Sequence, residues 1–421
     1  MDRISAIPEF YKMPVKKRLK ILREMMGLSG KDIGILEHNS ALSNKVADMI
    51  SENVIGTTQL PLSIATNFKV NGKDYLIPMA IEEPSVVAAA SHAAKLARPE
   101  GFTASTDEPI MIGQIQFVKV QNPQEAKRKI LKNKKQILEL ANAQDSLIVK
   151  LGGGARDVDV RILGKMMIIH LLVDVKDAMG ANLVNTMSEA VTPYIKDLVG
   201  GQPRLRIISN LADRRLARAR TVWKKEVIGK DVIDGIIDAY EFAKLDVYRC
   251  TTHNKGIMNG IDAVAIACGN DFRALEAGAH SYAALSGTYK PLTRYYKNNN
   301  GDLVGEIELP IAAGIVGGIT KSHPVAQVSL KIVDVKSSQE LAQLMVCVGL
   351  ANNFAALRAM VTEGIQKGHM KLHAKHVAMA AGAEGGLIKR LARIMVDEKR
   401  INSARAQELL SRLRKKEEKK P

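Results

Sequence analysis

The stretch 251–280, T-T-H-N-K-G-I-M-N-G-I-D-A-V-A-I-A-C-G-N-D-F-R-A-L-E-A-G-A-H, decides how the rest of this chain is read. Its first ten residues gather His253, Asn254, Lys255 and Asn259 between glycines. A mainly apolar run then reads as a strand or a buried helix, and Gly269-Asn270-Asp271 closes it. Long charged side chains are rarely buried unpaired, so a lysine and an aspartate framing such a run suggest a reaction site. If Lys255 and Asp271 meet in a cleft, the ammonium stays charged beside its carboxylate and serves as a fixed donor to an oxygen that becomes negative during reaction. An ordinary salt bridge between two loops accounts for the same two residues.

Upstream, residues 231–245 carry the apolar spacing of a long helix. Downstream, 339–359 and 389–413 read as helices separated by the glycine-rich 380–386, where a hinge would make the last forty residues a mobile flap. The N-terminus is helical over 14–26 and 41–50. Residues 68–70 and 75–79 form a hairpin around Asn71-Gly72, and Pro84-Ser85 opens a small-residue helix to Ala97. From Pro109 the pattern becomes strand (110–120), helix (123–144), strands near 147–150, 158–162 and 166–173, helix (179–199) and strand (204–209), an α+β sandwich of inserted-domain size. A charged helix, 214–220, returns the chain to the first domain.

A length of 421 residues suggests two or three domains. Lys and Arg number 61 against 44 Asp and Glu, which raises nucleic acid as a partner, yet only 4% of residues are aromatic and the basic residues are scattered outside the tail. A polyanionic small molecule suits a basic cleft equally well. Cys250, Cys268 and Cys347 are widely spaced among apolar neighbours, so neither a disulfide framework nor a metal site is indicated and a reducing cytoplasm is expected. No uninterrupted apolar run reaches membrane-spanning length; 309–319 contains Pro310 and glycines and suits a buried strand and turn.

Glu82-Glu83-Pro84-Ser85 sets two carboxylates at a helix start, where capping is the simple explanation; a functional acid would need burial, which 77–81 could provide. Gly152-Gly153-Gly154 follows a helix and is rejected as a dinucleotide fingerprint. Better placed is Asp177-Ala178-Met179-Gly180-Ala181-Asn182, where a strand ends and a helix begins; its free N–H groups could hold a pyrophosphate, or Asp177 could simply cap. His369, His373 and His376 lack acidic or cysteine neighbours for a metal. A histidine on a mobile element is better suited to general acid work, although an exposed helical histidine is the plainer reading.

Taken together, E-N-V-I-G (52–56), E-E-P-S (82–85), D-A-M-G-A-N (177–182), T-H-N-K-G-I-M-N-G (252–260), G-N-D (269–271) and G-H-M (368–370) resemble the 3-hydroxy-3-methylglutaryl-CoA (HMG-CoA) reductases, in the short class II form. The resemblance covers almost the whole chain. It implies four-electron reduction of HMG-CoA to mevalonate and CoA, or the reverse, with two nicotinamide cofactors in succession. Lys255 would stabilise the hemithioacetal oxyanion, Asp271 would hold Lys255, a protonated Glu83 would give a proton, and His369 would protonate the CoA thiolate. Arg249 would pair with the substrate carboxylate, with Ser85, Thr252 and Asn353 orienting its polar oxygens and Glu52 and Asn53 reaching in from a neighbouring subunit. The 177–182 turn, Asn210 and Asn259 match positions near cofactor or substrate, and Asp145 matches a ribose contact favouring NADH over NADPH, since a carboxylate repels a 2′-phosphate.

The implied fold is α+β. A large, mainly helical domain around a central helix (1–108 and 219–372) receives a ferredoxin-like, non-Rossmann cofactor domain (109–218), and a helical flap (373–421) follows. A homodimer or trimer of dimers is expected, with no membrane and no nucleic acid. Where the family often has an arginine facing the CoA phosphates, this chain has Tyr11-Lys12, so Lys12, Lys16 or Lys17 would substitute. A non-catalytic thioester binder and a basic nucleic-acid-binding protein are the competing classes.

Overall fold

The computed structural model describes the backbone of residues 4–38, 41–362 and 364–417, and the side chains of these except 365–372 and 414–417. The chain opens with α1 (Val15–Met26), α2 (Gly30–Glu37) and α3 (Asn44–Ile50), then the hairpin β1 (Leu62–Val70) and β2 (Lys73–Ala80), followed by α4 (Val86–Leu96) and β3 (Phe102–Thr106). Asn71 and Gly72 have φ of 50° and 82°, as a two-residue hairpin turn with both centres left-handed requires. Next come β4 (Ile110–Val118), α5 (Pro123–Lys132), α6 (Lys134–Asn142), α7 (Ser146–Lys150), β5 (Gly154–Leu163), β6 (Met166–Asp174), α8 (Ala181–Val199) and β7 (Gln202–Ser209). The chain continues through β8 (Leu216–Trp223), α9 (Lys225–Ile228), α10 (Lys230–Leu245), α11 (Val247–Ala267), α12 (Phe272–Ala283), β9 (Thr293–Lys297), β10 (Leu303–Pro310), α13 (Gly318–Ser322), α14 (Pro324–Val333) and α15 (Ser338–Val361). It ends with α16 (Ile365–Ala380), α17 (Gly386–Asp397) and α18 (Ser403–Glu417).

The segment from β4 to β7 is an antiparallel sheet in the order β5-β6-β4-β7. Numbered within the segment, that is strand order 2-3-1-4 in a β-α-β-β-α-β chain, which is the ferredoxin-like arrangement. Its core is its own, built from Met111, Ile115, Phe117, Ile169 and Leu171 of the sheet against Ile130, Ile137, Val184 and Val191 of the helices. Three local expectations are corrected here. Residues 147–150 form the short helix α7, not a strand, because Asp145 caps it, its Oδ1 accepting from the Leu147 and Ile148 N–H groups at 3.0 Å each. The 123–144 helix breaks at Asn133 into α5 and α6. Residues 214–220 are no helix: Ala217, Ala219, Thr221 and Trp223 are buried in alternation along β8, while Arg218 and Arg220 face Asp107, Glu308 and Glu306.

The large body joins its helices to a six-stranded sheet, β2-β1-β3-β8-β10-β9, of which only the hairpin was legible beforehand. α15 is the central helix and α11 lies along it. Glycines allow that approach: a Cβ on Gly260 would stand 2.5 Å from Asn352 Nδ2 and 3.0 Å from the Val348 carbonyl oxygen, and one on Gly349 would stand 3.0 Å from Ile261. Trp223 of β8 stacks on Phe354 of α15 at 3.7 Å between centroids. α15 is 24 residues long and apolar enough to cross a bilayer, but two-thirds of its apolar window is buried, as befits the core helix of a folded body. The 389–413 helix resolves into α17 and α18, which pack with α16 around Ala378, Leu391, Met395 and Leu410. The glycine-rich 380–386 is accordingly the turn between α16 and α17, with Ala383 inside that cluster, and not a hinge ahead of it.

Gly260→Val is expected to lower stability by about 1–3 kcal/mol through overpacking of α11 against α15. Urea unfolding at fixed protein concentration checks this; an unchanged midpoint would mean that the two helices tolerate separation.

Candidate active site

α11 starts at Asp246, whose carboxylate accepts from the Arg249 N–H at 2.7 Å. Arg249, Thr252, Gly256 and Asn259 follow at three- and four-residue spacing and form one stripe, with Lys255 on its flank. That stripe lines a cavity of about 260 Å³, closed on one side by Glu83, Ser85 and Ala89 and on the other by Asn352, Ala356 and Met360. Ser85 has φ of 78° and carries the chain from the Glu83 turn into α4, so the strained residue is the one that aims Glu83 across the cavity. Lys255 Nζ donates to Glu83 Oε2 at 2.8 Å. Glu83 is about a third exposed in this chain, so residues 77–81 do not bury it.

Arg249 is half-buried and, among the described residues, no carboxylate is recorded as its partner. Burial pulls its guanidinium below the usual arginine range. A desolvated guanidinium without an anion, with hydroxyls of Ser85 and Thr252 on the same cavity, is suited to a carboxylate-bearing ligand.

Two expected members of the cavity stand elsewhere. Asn353 is buried in the core: its Nδ2 donates to the His253 carbonyl at 3.1 Å, and its Oδ1 accepts from Thr293 at 3.1 Å and Tyr295 at 2.9 Å. Asn353 does not line the cavity: two hydroxyls occupy its Oδ1 and a carbonyl takes one of its Nδ2 protons, which makes it a core contact of α15. The neighbour that reaches the cavity is Asn352, 5% exposed, whose Nδ2 is buried without a protein partner. No spacing signal separated the two adjacent asparagines; only the rotation of α15 does.

Asp271 does not meet Lys255 within one chain. It caps α12, its Oδ1 accepting from the Arg273 and Ala274 N–H groups at 3.1 Å each, and pairs with the Arg273 side chain at 3.2 Å. Lys255 lies near the middle of α11 and Asp271 four residues beyond its C-terminal end, so the 12 residues from Lys255 to Ala267 at ~1.5 Å each put about 18 Å of rigid helix between them.

Glu52 and Asn53 lie exposed after α3, beside a fully exposed Ile55, and are not part of this cavity. Asp177 does not cap α8; its Oδ1 accepts from the Ser338 N–H at 2.7 Å, at the start of α15. The carbonyls of Ala178 and Met179 accept from Arg215, a buried guanidinium pulled down to about 10 by desolvation against the pull of Asp174 and Asp177. Gly180, with φ of 99°, begins α8 without a side-chain cap. Asn182 and Asn210 are exposed and Asp145 half-buried on the smaller body, whereas Asn259 lines the cavity. His369 lies on α16, but its side chain falls outside the described residues.

A ferredoxin-like insert beside a cationic, carboxylate-ready cleft defines a two-bodied α+β reductase architecture distinct from the Rossmann dehydrogenases. The family model for hydroxymethylglutaryl-coenzyme A reductase matches residues 14–374. The chain is 56% identical over 417 residues to the 3-hydroxy-3-methylglutaryl-coenzyme A reductase of Archaeoglobus fulgidus, covering 97% of this chain and 95% of that one. It is 37% identical over 386 residues to the probable reductase of Borreliella burgdorferi, covering 87% and 85%. The class II reductase of Streptococcus pneumoniae, solved bound to NADPH in open conformations, superposes with a TM-score of 0.81 at 42% identity, covering 96% of this chain and all of that one. The chain belongs to the hydroxymethylglutaryl-coenzyme A reductase family, in its class II branch. Its reaction is reduction of HMG-CoA to mevalonate, on the mevalonate pathway.

Asn353→Ala is expected to cost stability, about 1–3 kcal/mol for the hydrogen-bonding groups it strands, whereas Asn352→Ala leaves the unfolding midpoint near wild type and raises KM for the thioester. Parallel urea titrations and initial-rate kinetics check the pair; the reverse assignment of effects would overturn the distinction.

Proposed function

We propose that this cavity holds the acyl end of HMG-CoA, with Arg249 on the free carboxylate, Ser85, Thr252 and Asn352 on the remaining polar oxygens, and Lys255 beside the thioester oxygen. The observation that carries the reading is the Lys255–Glu83 pair at 2.8 Å facing an arginine without a recorded carboxylate partner. As the carbonyl carbon is reduced its oxygen gains negative charge, and an ammonium already fixed at that point stabilises the transition state with little reorganisation. Glu83, hydrogen-bonded to that ammonium, is placed to give the proton the oxygen finally takes. His369 on α16 is assigned the protonation of the departing CoA thiolate.

Asp271 is assigned to the same chemistry from a second copy of the chain. With about 18 Å of α11 between it and Lys255, only another subunit can bring the two together. The exposed Ile55 and the apolar corner Phe242, Leu245, Val247 and Tyr248 beside Arg249 support an interface there. E-N-V-I-G, with Glu52 and Asn53, is assigned to the partner's site. We read the assembly as a homodimer or a trimer of dimers, in the cytoplasm.

A nicotinamide cofactor, when bound, supplies the hydride. The residues fit it: Gly180, with φ of 99°, opens α8 without a side-chain cap, so the N–H groups of the first turn are left for a pyrophosphate. The remaining members of the 177–182 turn, with Asn210 and Asn259, are assigned to it as well. Asp145 is held in place by capping α7, and its carboxylate favours NADH by accepting from ribose hydroxyls and repelling a 2′-phosphate.

The CoA phosphates are assigned to His92, Lys95 and Arg358 in place of Lys12, which is engaged by Glu9. Ser85, Ala89 and His92 follow one face of α4, and Lys95 lies about 15 Å along the helix from Ser85, a separation of the order of a pantetheine arm. Neither Lys95 nor Arg358 has a carboxylate partner among the described residues, and His92, held below the usual histidine range by burial and then by Arg358 and Lys95, would join them as a neutral hydrogen-bonding ring.

Following the near-ultraviolet absorbance of the reduced nicotinamide with HMG-CoA tests the whole reading. Lys255→Ala should lower kcat by roughly 10²-fold or more while the protein stays folded by circular dichroism; wild-type rates in that variant would remove the oxyanion role. Asp145→Ala should lower the NADH-over-NADPH preference, measured as the ratio of kcat/KM values, and an unmoved ratio would dismiss the ribose contact. Lys95→Ala with Arg358→Ala should raise KM for HMG-CoA about tenfold but leave KM for the phosphate-free pantetheine thioester unchanged; equal effects on both substrates would place the phosphates elsewhere.

A further inference from the structure

Helix α12 does three things at once. Its N-terminus holds Asp271. Gly278, midway along, lies against the Asn210 turn so closely that a Cβ there would stand 2.7 Å from the Asn210 carbonyl oxygen. Its inner face carries Glu276, which meets Asp262 of α11 carboxyl to carboxyl.

Nothing in the reaction as derived above uses Asp262 or Glu276. Asp262 is half-buried, its Oδ1 is enclosed without a protein partner, and its carboxyl lies against that of Glu276. Glu276 also accepts from His280 Nε2 at 2.6 Å one turn along α12, and His280 Nδ1 lies 2.7 Å from the Tyr289 hydroxyl in the following loop. The next residue of that loop, Lys290, accepts through its carbonyl from Asn254 Nδ2 of α11 at 2.9 Å. Charges on the neighbouring elements are engaged elsewhere: Glu308 of β10 by Arg218 and Tyr282, and Lys331 of α14 by Asp32. Among the described residues no lysine or arginine is bonded to either member of the pair. Two carboxyl groups in contact with no lysine or arginine between them do not both ionise in the neutral range.

We propose that Asp262 and Glu276 share one proton, that this proton seats α12 on α11, and that the two are positioning residues for Asp271 and for the Asn210 turn. His280 sits on Glu276, so the negative charge rests there and the proton on Asp262. The pair acts through the placement of its helix and touches no substrate.

The pH dependence follows from the sign of the shift. Burial, then the Glu276 bond and charge, push Asp262 up to about 8, while the hydrogen bond from His280 holds Glu276 below its usual range. The folded chain therefore keeps a proton that the unfolded chain releases in the ordinary carboxyl range. The corresponding stability falls as pH rises through that window, and the folded pair itself loses its proton near pH 8. Above that, two carboxylates face each other and α12 is released.

Asp262→Asn supplies a neutral donor of the same shape that cannot ionise. Measured on the assembled enzyme, it should keep near-wild-type kcat/KM at neutral pH and move the alkaline limb of the profile upward by about one pH unit, roughly a tenfold difference on that limb. Asp262→Ala should lose activity across the whole range. Difference infrared spectroscopy should show a protonated-carboxyl band in wild type that bleaches on alkaline titration and is absent from Asp262→Asn. Superposable pH profiles for wild type and Asp262→Asn, or no bleaching band in wild type, would overturn the proposal. The infrared band is independent of turnover, so its loss and a failure of the reductase assay are separately readable.

Discussion

The close approach of α11 to α15 is the constraint on which the rest depends. Gly260 and Gly349 remove the side chains that would hold the helices apart, and a buried polar chain then fixes their register. Asn353 Oδ1 accepts the Thr293 hydroxyl proton, so Thr293 is left to accept from His253 Nε2 at 2.6 Å, which sets the imidazole tautomer. Burial, then Arg249, drive His253 down to about 3, and it stays neutral at every physiological pH. A neutral buried network of this kind favours one rotation of each helix, because a slip would break the His253–Thr293–Asn353–Tyr295 bonds and strand more buried donors and acceptors. That rotation presents Arg249, Lys255 and Asn352 to one cavity and sends Asn353 into the core.

The two bodies of the chain are tied by a second buried polar contact. Arg215 reaches the Ala178 and Met179 carbonyls on one side and the Ala313 carbonyl and Ser338 hydroxyl on the other, while Asp177 accepts from the N-terminus of α15. The turn assigned to the cofactor is thus anchored to the helix that lines the cavity of Arg249 and Lys255. Hydride transfer tolerates little misplacement of donor and acceptor, and a junction made of charge-assisted bonds to backbone is stiffer than one made of apolar contact alone.

Much of the architecture was legible beforehand for local reasons. The Asn71-Gly72 hairpin, the alternating strands and helices of the insert and the long helices at 231–245 and 339–359 all rest on turn chemistry and periodicity, which act within a few residues. The failures were long-range. Residues 214–220 look helical by charge, yet Arg218 and Arg220 alternate with buried alanines because the acidic partners that accept them stand on β10 and beside β4. The misreading of 147–150 as a strand is the local exception, since the cap that makes them a helix is Asp145, two residues upstream of Leu147.

The chemistry of the site divides in the same way. The sequence alone determined which residue types are present at which spacing, and through them the family, since a run such as T-H-N-K-G-I-M-N-G is a property of the string. Which partner each residue takes was decided only by the fold. Lys255 faces Glu83 and not Asp271, because α11 is one rigid rod with Lys255 near its middle and Asp271 beyond its C-terminal end. Asn352 and not Asn353 opens to the cavity, because the choice turns on the roughly 100° of helix rotation between neighbouring residues, fixed by bonds to a strand some sixty residues away in the chain.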